Sequence, residues 1–188
     1  MSNADIWLLV LAAILVPVAG AFAAADAAIS TVSAARVAEM HREGRRGAAS
    51  LAAIVDDRSR YINLLLLLRL TAEMTAAVTV AIVAVDTWGV HIGAAVVVIA
   101  AMVVLSYVVI GVLPRTLGRQ NPYAIGLAAA GPARALARVL APISRLLVAA
   151  GNALVPGRAF PEGPFSADVE LREIVALAGD RGALHEAE

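Results

Sequence analysis

Arg69 and Glu73 stand four residues apart inside the run NLLLLLRLTAEMTAAVTVAIVAV, residues 63–85. The run is long and apolar enough to cross a bilayer as a helix, and the spacing puts both side chains on one face. Ionisable groups in hydrocarbon are costly, so such a pair is expected to face a bundle interior or a wet cavity. A third charge, Asp26, lies late in another apolar run, at residues 6–30. Counted from the presumed cytoplasmic helix ends at Ser33 and Asn63, Asp26 and Arg69 both lie roughly 10 Å deep at about 1.5 Å per residue. Glu73 is one turn deeper. Three chemistries suit this trio. Arg69 can pair with Glu73 inside its own helix. The two acids can line a cation path, because carboxylate oxygens are ligands for hard cations. Arg69 can also hold an anion or a lipid headgroup. With Arg69 bridging both acids, the cluster carries a net charge of minus one.

The elements that must position these groups are helical. Hydrophobic residues make up 61% of the 188, charged residues only 16%, and mean hydropathy is +0.82. That is too apolar for a water-soluble domain, and apolar runs near 20 residues indicate helices rather than a barrel. There is no cysteine, which excludes disulfides and thiolate metal sites. The first span is residues 6–30. With Asp5 and no basic residue before it, it reads as a retained helix, not a signal peptide. Pro17 and Gly20 predict a kink or a locally opened backbone within it.

Residues 32–60 hold six arginines and four acids, with Gly44 and Gly47 marking a turn. They predict a water-exposed pair of short amphipathic helices, with Val37 and Met40 on one apolar edge and Leu51, Ile54 and Val55 on the other. Residues 61–85 form the second span, and a tight turn around Trp88 and Gly89 leads to a third. Pro114 is expected to end the third span near Leu113. Six arginines in the first loop and Arg115 and Arg119 after the third span face Asp5 and Asp86 on the other side. The positive-inside rule then predicts a multi-pass protein of the cell's inner or plasma membrane, with its N-terminus outside and its C-terminus in the cytoplasm.

Residues 123–155 are apolar but carry Arg134, Arg138 and Arg145 at spacings of four and seven. Gly131-Pro132 and Pro142 predict a break into short helices lying along the inner leaflet as an amphipathic belt, in contact with lipid. The expected fold is therefore an all-α integral membrane protein with three transmembrane helices and a juxtamembrane amphipathic belt helix. Residues 1–155 form the transmembrane domain with its juxtamembrane helices, and the Pro- and Gly-rich residues 156–167 a linker. Residues 168–188 begin a cytosolic helical region, capped by Ser166, whose apolar face calls for a partner surface in a regulatory domain beyond Glu188.

Other signals point away from chemistry. His41, His91 and His185 have no shared metal spacing and read as surface residues. Thr71, Thr75 and Thr79 share a stripe and are expected to back-bond to their own helix or pack between helices. The chain lacks a P-loop, a dinucleotide fingerprint, a nucleophile elbow and a zinc-protease motif, so no enzyme activity is expected. The arginines face a membrane surface, and nothing indicates nucleic acid.

The ordered set of FAAADAAISTVSAARV (residues 22–37), GRRGA, DDRSRYINLLLL and VLPRTLGRQNP (residues 112–122) resembles the transmembrane domain of the cyclin M and CorC family of magnesium transport proteins. The closing SADVELREIVALAGDRGALHEAE resembles the acidic helix that leads into that family's paired cytosolic CBS module. The resemblance implies three membrane helices, a belt-like juxtamembrane helix, a homodimer and an intramembrane magnesium site. On the family's pattern the metal positions fall at Asp26, Glu73 and Gly111. This chain departs at each of them. Ala23 and Asp26 stand where the family has a Ser-x-x-Glu-like pattern. Arg69 and Glu73 stand where it has asparagines, and Gly111 where it has an acid before the Pro-Lys/Arg element. Two functions follow: divalent-cation transport by a homodimer, or a non-transporting membrane scaffold or regulator. In the second, Arg69 occupies the former cation site and the protein works through a partner such as a paralogous membrane protein.

Overall fold

The computed structural model describes residues 2–89 and 91–154, all but a few of them in helices. The linker and tail expected at residues 156–167 and 168–188 lie outside these, as does the side chain of Arg145. Three helical stretches are long and apolar enough to span a membrane. The first is α1 (Asn3–Thr31), the second α4 (Arg58–Trp88), and the third runs through α5 (Ile92–Leu105), a π-helical segment (Ser106–Val112) and α6 (Leu113–Gln120). Two short helices, α2 (Ala34–Arg42) and α3 (Ala48–Asp56), join the first span to the second, and α7 (Pro122–Leu154) follows the third.

α1 starts ahead of its apolar run because Ser2 and Asp5 form a reciprocal cap; the Asp5 backbone N–H donates to the Ser2 hydroxyl at 3.2 Å. The helix continues through Pro17 to Thr31. Its far end is closed from another element. The Arg58 guanidinium donates to the carbonyl oxygens of Val32 at 2.8 Å and Ser30 at 3.4 Å. A cation there supplies donors to carbonyls that lack helical partners and meets the negative end of the helix dipole. It also ties the start of α4 to the end of α1.

The short helices form as their apolar edges predict. Gly44 and Gly47 take positive φ of 71° and 83°, a conformation that costs a side-chain-bearing residue but not glycine. Val37, Met40, Leu51 and Ile54 are buried, and Val55 is half-buried. Their apolar edge is covered by α7, through Ala130, Ala133 and Ala137, and by Tyr61, Leu64 and Leu65 of α4. On the polar side Arg134 of α7 donates to the Ser50 hydroxyl at 3.2 Å, while Arg138 is exposed.

Two expectations about proline fail. Pro114 does not end the third span; it lies in the first turn of α6, and the helix runs on to Gln120. Proline has no N–H for carbonyls four or five residues earlier. The chain meets this by widening rather than stopping: the Leu113 N–H reaches back five residues to the Val108 carbonyl. Likewise α7 is continuous through Gly131, Pro132 and Pro142, not broken into short helices. Buried alanines on both sides of Pro132 anchor the helix to α3 and α4, and tertiary packing outweighs the local propensity. α7 is not among the three spanning stretches.

Candidate functional site

Arg69 and Glu73 form the i,i+4 pair that their spacing predicts. The Arg69 Nε lies 3.7 Å from Glu73 Oε2, with the side chains only 18% and 14% exposed. This distance is within ion-pair range but too long for a hydrogen bond. The Nε is itself buried without a hydrogen-bond partner. Among the described residues Arg69 makes no hydrogen bond to either acid. Thr71, Thr75 and Thr79 of the same helix back-bond to the carbonyls of Leu67, Thr71 and Thr75 at 2.8, 2.7 and 2.6 Å. Their hydroxyls are thereby committed to the helix. Glu73 also opens onto a cleft of about 590 Å³ between α4 and the third span, whose polar lining includes Ser106 and Tyr107.

Asp26 is half-buried on α1 and makes no contact ion pair among the described residues. It lies in the fields of two guanidiniums, Arg115 on α6 and Arg69 on α4, with Arg115 the stronger. The spacing argument placed Asp26 with Arg69 and missed Arg115, which the sequence offers only as an orientation marker. α6 reaches α1 because residue 118 is glycine. A Cβ there would stand 2.4 Å from the Ala24 carbonyl oxygen and 2.9 Å from the Ala27 Cβ, closer than any side chain allows. Arg115, one turn earlier, shares that face.

The third span meets α1 at a second close approach. A Cβ on Gly20 would lie 3.1 Å from both the Val109 carbonyl oxygen and the Pro114 ring. Pro114 offers that carbonyl no N–H, so a backbone oxygen faces α1 without the donor a π-helix would give it. Gly111 lies half-buried in the same segment, and a Cβ on it would sit 3.5 Å from the Ser106 carbonyl oxygen. Pro17 is exposed on α1. His41 on α2 and His91 before α5 sit on different elements, and among the described residues no three His, Asp or Glu converge.

The charges form an alternating string across three helices: Arg115, Asp26, Arg69, Glu73. Its formal sum is zero, where the trio without Arg115 carries minus one. A neutral string has little net attraction for a cation.

The chain matches the model of the cyclin M transmembrane N-terminal domain over residues 10–188. Two curated relatives, each called a UPF0053 protein, from Mycobacterium bovis and Mycobacterium tuberculosis, are 51% identical to it over 175 residues. The alignment covers 91% of this chain and 39% of each relative, so the chain spans about two fifths of the length of the curated relatives it matches. With this match and its three apolar spans, the chain belongs to the cyclin M transmembrane domain family, which is associated with divalent-cation transport.

Proposed function

We propose that this domain takes part in moving a divalent cation across the membrane, magnesium by family resemblance, as a homodimer. The observation that carries this reading is the retention of two carboxylates, Asp26 and Glu73, inside the apolar spans of facing helices. Water-excluded acids are costly to keep and mark ion paths. The role is conduction, not catalysis, and magnesium is cargo. The arginine asymmetry supports an N-terminus outside and a C-terminus in the cytoplasm, with α7 along the inner leaflet against lipid. Cysteine at Thr87 should then label from outside and cysteine at Gln120 from inside. Outside labelling at Gln120 would sink this topology.

One observation favours a second reading. Arg69 stands 3.7 Å from Glu73 and within the field of Asp26, where a guanidinium can replace a cation. In that case the chain is a membrane scaffold or regulator acting with a partner, such as a paralogous protein. Magnesium-dependent thermal stabilisation separates the two. On the transport reading the wild type gains stability with magnesium, and Asp26→Asn or Glu73→Gln weakens the gain. On the scaffold reading the wild type responds weakly or not at all. Arg69→Ala then opens a vacancy that magnesium fills, and Arg69→Asn, with an amide oxygen, responds more strongly. A magnesium response that survives loss of both acids rejects the site altogether.

A further inference from the structure

We infer that Arg115 is a tethered counter-ion: it holds Asp26 against incoming cations, and the seating of α6 on α1 through Gly118 sets how firmly it does so. The inference rests on the proposed cation site and adds a residue and a control to it. Its basis is the contact at Gly118, where α6 approaches α1 closely enough to touch the Ala24 backbone and the Ala27 side chain. Those two residues flank Asp26 in sequence. Arg115 precedes Gly118 by three positions and so projects along the same side of α6.

Arg115 differs from Arg69 in a way that suits it to this role. Arg69 is largely buried in α4, with its Nε enclosed. Arg115 is exposed, so its guanidinium can swing further into water and weaken the field it exerts on Asp26. A long stem lets the head move between the two while the helix stays put. Leaving changes the four-charge string from zero to minus one, which favours entry of a dication. The charged groups acting on Asp26 come from α4 and α6, as Arg69 and Arg115.

α6 is also placed to be moved. Asn121 alone separates it from α7, and α7 packs on α1, α3 and α4. A force applied to α7 from the cytosolic side therefore reaches Arg115 through a short helix held to α1 by a glycine contact. The withdrawn charge raises the attraction for a dication twice as much as for a monovalent ion at the same distance.

The test is a magnesium chloride titration of the purified full chain, read as the thermal unfolding midpoint at constant ionic strength. Arg115→Ala should lower the half-saturating magnesium concentration by roughly tenfold, the scale for removing one unit charge near a dication at a partly wet site. Arg115→Lys should stay close to wild type, because it keeps the charge. In an Asp26→Asn background Arg115→Ala should have no further effect. An Arg115→Ala midpoint curve that overlays wild type, while Asp26→Asn weakens the response, overturns this inference and leaves the transport reading standing. A tenfold change that persists in the Asp26→Asn background overturns it too, since Arg115 would then act elsewhere. An Asp26→Asn protein that responds like wild type overturns both.

Discussion

The two ends of the molecule are packed by different rules. At the end that carries the short helices α2 and α3, Ile29, Val32, Val37, Leu51, Ile54, Leu64 and Leu65 interlock α1, α2, α3, α4 and α7 into a core of large, fully buried side chains. Within the membrane the matching cluster is made mainly of small residues: Ala12, Val16, Ala19, Ala72 and Ala76, with Ile110 from the π segment. α5 has no buried residue at all, and only 6% of the third span's most apolar stretch is buried, against 28% and 22% for the first and second. Water drives the first kind of packing. In hydrocarbon that drive is absent, and helices associate through close contact of small side chains and through polar groups. The charge string sits where the two regimes meet, with rigid protein on one side and a loosely held span on the other.

This contrast can be broken by substitution, with thermal or denaturant unfolding in detergent as the measure. The largest effect is expected in the core around α2 and α3. Leu51→Ala should cost about 3 kcal/mol, as for other fully buried leucines. A loss below that of the surface variants would show that this core is not the stabilising unit. Next comes the seam between α6 and α1. Gly118→Ala must push α6 away from the Ala24 carbonyl and should cost about 2 kcal/mol. An unchanged unfolding midpoint would mean that the close approach is easily relaxed. The smallest effect is expected on α5. Val104 is 63% exposed, and Val104→Ala should change stability by less than about 0.5 kcal/mol. A loss comparable to Leu51→Ala would show that α5 is covered by another helix, such as one from a second copy.

Much of this was legible in the sequence, because the signals were local. Spans follow from apolar length. The turn between α2 and α3 follows from Gly44 and Gly47, and the buried faces of those helices from Val37, Met40, Leu51 and Ile54 recurring at helical spacing. The pairing of Arg69 with Glu73 follows from four residues on one helix. What escaped depends on contacts between distant segments. Arg115 is far from Asp26 along the chain, and only the fit of Gly118 against Ala24 and Ala27 brings them together. Pro114, Pro132 and Pro142 were overread for the same reason. Local propensity registers the lost N–H, but it cannot see the widened turn before Pro114 or the packing of Ala130, Ala133 and Ala137 that keeps α7 continuous through Pro132.

The π-helical segment has a consequence for phase. In an α-helix each residue turns the chain by about 100°. A wider turn absorbs extra residues without the full rotation, so it sets the compass bearing of everything that follows. Gly118 faces α1, on a helix whose bearing follows from the winding of residues 106–112. Were this stretch to rewind as ordinary α-helix, α6 would keep its sequence and its length yet swing its glycine and its arginine around the axis, away from Asp26. The winding of one short segment thus sets where the glycine contact falls, and Pro114, which has no N–H to give the Ile110 carbonyl, disfavours ordinary α winding just there.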